Sequence, residues 1–383
     1  MPHTPRPEAG AAYFLYHSIG MYPGKGPAMA AAFAEFAEGW AADDDAQWMR
    51  ALTLRQGFID HWQALIGAEP GTLTTAENVT VALYSLLGGL PPGVLSGRRV
   101  LVAGDCFPSL HFLLAGLAPR MGFTLETVPL RPGESWVRDE DMIARWGADV
   151  GLALLTLVTS TASHRPDLTA LAAHGRQHDT LIGVDATQGV GIVPYRCDAP
   201  RMDFTVSTSL KWLCGTPGAG ILQVAEPLLR QCRPELRGWF SQPDIFSWDL
   251  DRFDYAPDAR RFDHGTPSVV ACVASLPALQ WHAAQDPAAL RAHNLELTRQ
   301  LIEGAAGLGL VLASPPDEAR RGGSVMLRLP PAAEPATVVN ALRSRGVLTD
   351  CRGATLRLSP GAVTTGPGVD RLLQGLHDTL RTA

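Results

Sequence analysis

The 383-residue chain predicts an α/β fold, with a mostly parallel sheet covered by helices on both faces and a smaller α+β unit behind it. Two observations carry this. Short apolar, β-rich runs alternate with helical segments between residues 98 and 224, and continuous apolar strands belong in sheets buried on both faces. Beyond residue 269 the signal changes to helix, strand, strand, helix, which describes a second, smaller unit.

The first 45 residues hold an apolar segment, YFLYHSIG (13–20), and an Ala-rich amphipathic stretch from Gly26 to Ala42, an arm and a helix. A second helix, from Asp45 to Ile66, spaces Trp48, Leu52, Phe58, Ile59 and Trp62 along one face. Strand signals follow at RRVLVAG (98–104), FTLETV (123–128), VGLALLTLV (150–158), TLIGVDA (180–186), MDFTVS (202–207) and GAGILQV (218–224), with helices between them that include Leu110–Met121 and Asp167–His178. The stretch from Arg237 to Pro267, rich in Trp, Phe, Asp and Pro, reads as a long ordered excursion. Helices at Val269–Ala284 and Pro287–Ala305, strands at Leu308–Ala313 and Gly323–Leu329, a helix at Ala336–Arg345, a strand at Ala354–Leu358 and a helix at Gly368–Leu380 complete the chain. The expected organisation is an arm and helix, 1–45, packing with the small domain; a large α/β domain, 46–275; and a small α+β domain, 276–383.

With 32 basic against 38 acidic residues the formal charge is −6, too acidic for a surface that holds a phosphate backbone, so no nucleic-acid partner is expected. No run approaches the length of a membrane span, and the N-terminus carries no targeting signal, so a cytoplasmic protein with no membrane partner is expected. The six cysteines stand singly, without the paired spacing of a metal site. One bias is sharper: the only lysines are Lys25 and Lys211, the other basic residues being arginine. A guanidinium stays protonated and is no amine nucleophile, so a lysine retained in such a chain is a candidate for covalent amine chemistry.

Asp185 ends an apolar strand signal and Lys211 follows 26 residues later, with further strand signals and a turn between, so both side chains can reach the same end of the sheet. An amine beside an acid, near a Gly-rich turn, suits pyridoxal 5'-phosphate. The lysine bonds covalently to the cofactor, and a buried carboxylate keeps the pyridine nitrogen protonated so that the ring withdraws electrons.

The set Asp185, Gln188, Lys211, Gly218 and Gly220 resembles the class V pyridoxal-phosphate enzymes of fold type I, and within them the kynureninases are most similar. The resemblance implies a large domain with a mostly parallel seven-stranded sheet. Residue by residue, GDCFPSLHF (104–112) makes Phe107 the aromatic stacked on the cofactor ring. TTAENVTVAL (74–83) makes Glu77 and Asn78 part of the phosphate cradle at a helix N-terminus, and Thr208 joins the cofactor contacts. RGWF (237–240) and RFDHGTP (261–267) make Trp239 and Thr266 contacts to the phosphate of a neighbouring subunit, hence a homodimer with shared sites. DCRGATLRLSP (350–360) makes Arg357 the clamp for the substrate carboxylate, and His17 in YHSIG stands at a substrate-binding position where kynureninases have Asn. The chain departs from that pattern at Leu210, where a Tyr is expected, and at Gln188, where kynureninases have His and the aminotransferase and desulfurase branches have Gln. Cys351 is read as an inert thiol, and His164 and Arg165 as loop residues.

The implied activity is hydrolytic Cβ–Cγ cleavage of a small-molecule α-amino acid with release of alanine. The alternatives are a class V aminotransferase or cysteine desulfurase-type lyase, and a catalytically silent binding protein on the same fold.

Overall fold

The computed structural model describes residues 12–381. In chain order the first elements are α1 (Lys25–Trp40), α2 (Gln47–Ile66), β1 (Leu73–Ala76), α3 (Val79–Leu87), β2 (Arg99–Ala103), α4 (Pro108–Met121), β3 (Thr124–Val128), α5 (Asp139–Arg145), β4 (Val150–Thr156), α6 (Leu168–Gln177), β5 (Leu181–Asp185), β6 (Phe204–Thr208) and β7 (Gly220–Val224). They are followed by α7 (Glu226–Leu229), α8 (Val269–Ala283), α9 (Pro287–Gly307), β8 (Val311–Leu312), β9 (Val325–Arg328), α10 (Pro335–Ser344), β10 (Asp350–Arg352), β11 (Thr355–Leu358) and α11 (Gly366–Arg381).

The central strands are apolar on both pleat faces, and each face closes its own core. On β4, Leu152 and Leu154 enter one cluster with Val100, Val102, Phe204 and Val206, while Ala153 and Leu155 enter the other with Leu101, Ile182 and Val184. α3 and α4 cover the first face; Phe58, Trp62 and Ile66 of α2 and Leu279 of α8 cover the second. The sheet has seven strands in the order β1-β7-β6-β5-β4-β2-β3. The run from β3 to β6 is parallel; β7 and β1 pair antiparallel at the far edge. This is the fold type I architecture, and the parallel strands β4, β5 and β6 end together, where such sheets place their ligands.

A second sheet, β10-β11-β9-β8, is antiparallel and shares a core with α9, α10 and α11. Phe14 is buried in that same core, and residues beside it bridge in parallel to Leu348 and Ser359. The sequence assigns the whole 1–45 segment to the small domain, but the structure divides it. Tyr13 and Leu15 bridge to residues flanking the second sheet, α1 packs against α2 and α8, and residues 1–11 lie outside the described part. α8 runs straight through the expected 275/276 boundary, so one helix links the two units.

Candidate active site

Lys211 sits in a tight turn between β6 and β7. Ser209 O accepts from Gly215 N (2.7 Å) and Lys211 O from Cys214 N (2.8 Å), which forces Cys214 to a φ of 61°, in the left-handed region. The N-terminal segment clamps this turn. Gly20 N donates to Leu210 O (3.0 Å), and a Cβ on Gly20 would stand 1.8 Å from Lys211 O, so only glycine permits the approach. Lys25, the other lysine, is a structural tie: its Nζ donates to Gly20 O (2.8 Å) and Gly215 O (3.3 Å). Beneath the turn Trp62 Nε1 donates to Ser209 Oγ (3.0 Å), and the Tyr16 ring stacks on Trp212.

The turn opens into a cavity of about 570 Å³ at the ends of the parallel strands, lined by Thr156 of β4, Asp185 of β5 and Thr208 of β6 along with Lys211. The Lys211 amine lies over the Phe107 ring, 5.3 Å from its centroid. Burial pushes the amine pKa down to about 8, against the pull of Asp185 in the other direction, with the Arg357 and Arg352 charges lowering it further. Asp185 is buried and accepts from Thr187 N (3.0 Å), and desolvation raises its carboxyl above the usual range. Ser160, which the sequence reading passed over, also lines this cavity; its hydroxyl is buried and has no hydrogen-bond partner among the described residues.

At the cavity edge α3 presents its N-terminus, flanked by Glu77 and Asn78. Asn78 Oδ1 accepts from Thr80 N and Val81 N, both at 3.0 Å, so its side-chain carbonyl caps the helix and its NH₂ group is what it has left for a ligand. Glu77 is exposed, and its carboxylate would repel a phosphate, so its backbone N–H is the part that suits an anion. Leu210 lines the cavity without offering a donor. Gln188 lines it too, but one amide hydrogen is spent on His17 O (3.0 Å).

The expected carboxylate clamp is already engaged. Arg357 donates through Nε to Asp350 Oδ1 (2.8 Å) and through Nη2 to Asp350 Oδ2. The two residues face each other across the β10–β11 hairpin. Asp350 Oδ1 also lies 3.0 Å from Nε2 of His17, a buried ring whose Nδ1 is 2.6 Å from Ser359 Oγ. None of these three lines the cavity wall, although the charges of Lys211, Arg357 and His17 are felt among one another.

A model of the aminotransferase class-V family matches residues 60–355. The chain belongs to this family. Among its relatives, the kynureninase of Deinococcus radiodurans is 30% identical over 89% of this chain and 82% of its own length. The isopenicillin N epimerase of Streptomyces clavuligerus is 28% identical over 82% of this chain and 83% of its own. Among solved structures, a C-DES mutant with glycine covalently linked to its pyridoxal-phosphate cofactor superposes with a TM-score of 0.87 over 97% of each chain, at 19% identity, which is a likeness of fold.

As a class-V member the chain is implied to use pyridoxal phosphate, and the residues present fit that group. The cavity brings together an amine, a buried acid for a ring nitrogen, an aromatic face at Phe107, an unpartnered buried hydroxyl at Ser160 and a helix N-terminus for a phosphate. Trp239 and Thr266 are not in this cavity. Trp239 is half-buried against Phe240 and Trp248. Thr266 is exposed on a smaller cavity of about 140 Å³ that shares Glu77 and Gly218 with the main one. Cys351 packs against the small core, and burial pushes its thiol up to about 11. His164 is a buried ring stacked on Trp136, and its bridge to Arg321 ties the loop after β4 to the small unit. No helix among the described residues is long and apolar enough to cross a membrane, and no group of metal-ligating side chains occurs among them.

Proposed function

We propose that this chain is a pyridoxal-phosphate enzyme acting on a small-molecule α-amino acid by hydrolytic Cβ–Cγ cleavage of the kynureninase type, with release of alanine. The observation that carries the reading is a buried Lys211 amine, pushed down to about 8, over Phe107 in the cavity that holds Asp185. When bound, the cofactor supplies an electron-withdrawing ring that stabilises negative charge at the substrate Cα. Lys211 would hold the cofactor, and its free Nζ would take the substrate's Cα proton; a pKa of about 8 suits that transfer near neutral pH. Asp185 would hold the proton on the ring nitrogen, and Phe107 would pack on the ring face. Thr208, Gln188, Asn78 and the α3 N-terminus would contact the cofactor, and Arg357 would grip the substrate carboxylate with His17 behind it. Trp239 and Thr266 serve the site of a second copy in a homodimer.

The similarity to the Deinococcus kynureninase supports the cleavage reaction. Cys351 speaks against the desulfurase branch, because a thiol pushed to about 11 and packed in the small core supplies little thiolate to accept sulfur. Gln188 favours the second reading, a class V aminotransferase. Incubation of holoenzyme with kynurenine tests the choice: alanine and anthranilate are expected. Glutamate formed from 2-oxoglutarate and an amino donor, with no anthranilate, would overturn cleavage in favour of transamination.

A further inference from the structure

We infer that Asp350 is a specificity-determining residue: it competes with the substrate carboxylate for Arg357, and His17 is its alternative seat. The inference rests on the reading of Arg357 as the carboxylate clamp.

A guanidinium matches both oxygens of a carboxylate along two edges, Nε with Nη2 and Nη1 with Nη2. On Arg357 the first of these edges is filled by Asp350. The Arg357 side chain is 10% exposed and that of Asp350 34%, so the more accessible member of the pair is the internal acid. The pairing is set by the hairpin itself, since register places Asp350 directly opposite Arg357. A carboxylate that takes that edge gains only the difference between two ion pairs, and one that takes Nη1 with Nη2 shares a cation already neutralised by Asp350.

Asp350 also has somewhere to go. His17 is buried, and desolvation lowers its pKa below the ordinary value, so the ring is neutral. A carboxylate only accepts, so Nδ1 accepts from the Ser359 hydroxyl and the ring proton sits on Nε2, which lies 3.0 Å from Asp350 Oδ1 and has no other hydrogen-bond partner among the described residues. When Asp350 releases Arg357, the unpartnered His17 N–H, 3.0 Å away, is free to take it up. Burial alone would raise the Asp350 carboxyl, but the bonds from His17 and Arg357 outweigh it and hold the acid well below the usual range. It stays ionised, so the competition is carboxylate against carboxylate. The retained negative charge beside the clamp also repels a second acidic group, selecting α-amino acids whose side chains carry none.

The test titrates holoenzyme with L-alanine, followed through the visible absorbance of the cofactor, and with L-alaninamide, which has no carboxylate. Asp350→Asn is expected to tighten alanine binding about tenfold and to leave alaninamide unchanged. His17→Phe removes the alternative seat without removing a charge, and is expected to weaken alanine several-fold while sparing alaninamide. Asp350→Glu, restoring the charge, returns alanine affinity toward wild type. If Asp350→Asn weakens alanine binding or leaves it unaltered, Asp350 orients Arg357 or is a bystander, and the proposal is overturned. Arg357→Ala separates the two levels: alanine affinity unaltered by that change refutes the clamp itself, whatever Asp350 does. Melting temperatures establish that each variant is folded, and Asp350→Ser carries the same expectation should Asp350→Asn not fold.

Discussion

The Lys211 amine stands 5.3 Å from the centroid of the Phe107 ring, an arrangement in which an aromatic face favours the charged form while burial favours the neutral one. A cation over a ring face gains about 1 to 2 kcal/mol at best. Desolvation is the largest cause of the shift, since the amine falls to about 8 despite the charge of Asp185.

The sign of that shift gives the first prediction. The free amine is the form that attacks the cofactor aldehyde, and it prevails above its pKa. Cofactor capture by the apoprotein should therefore speed up with rising pH and level off above about 8, rather than climbing to the ordinary lysine value. Stopped-flow absorbance across pH 6.5 to 10 measures it. A rate still rising steeply at pH 10 would mean that Lys211 is solvated.

The second prediction concerns Asp185, the buried acid at the end of β5. Asp185→Asn keeps the shape and the Thr187 N–H contact but cannot hold a proton on the ring nitrogen. Turnover should fall on the order of 10², about 3 kcal/mol, with cofactor still bound. Near-normal turnover would remove Asp185 from the ring-partner role.

A third prediction is quaternary, motivated by Trp239 and Thr266 lying outside their own chain's cavity. Trp239→Ala should weaken cofactor binding. Mixing it with Lys211→Ala should restore activity, because one site of each mixed dimer then has neither defect. With about half the dimers mixed, roughly a quarter of wild-type activity per subunit is expected. Free mixing shown by tagged pull-down, without activity above either parent, would show that Trp239 serves its own site or none.

Much of the sheet is readable from sequence, because strands buried on both faces must be apolar throughout: VGLALLTLV contains β4 and TLIGVDA contains β5. β1 and β10 carry no such signal. LTTA and DCR are short and polar, and they become strands through partners supplied by β7 and β11. The excursion at 237–267 folds into two short turns, Trp239–Ser241 and Ala259–Phe262, whose positions no periodicity marks. In the site, Lys211 and Asp185 stand out by spacing and by the scarcity of lysine. Asp350 does not, although a signal was present: Gly353, with a φ of 54°, turns the DCRGATLR hairpin and sets residue 350 against 357. The bond from Gln188 to His17 O spans 171 positions and depends on how the N-terminal segment crosses the site, which local sequence cannot express. Ser160 is one of four hydroxyls in the run TSTAS (159–163), and nothing in the local sequence distinguishes it from its neighbours.

The central claim, that Lys211 carries the cofactor, is tested most directly by reducing the purified holoenzyme with borohydride and locating the fixed group by peptide mass spectrometry. The chain has two lysines, and Lys25 is tied to Gly20 O and Gly215 O outside the cavity lining. The expected result is a yellow protein whose colour is bleached by reduction, with a phosphopyridoxyl group on the peptide containing Lys211. A group on Lys25, or on neither lysine, would contradict it.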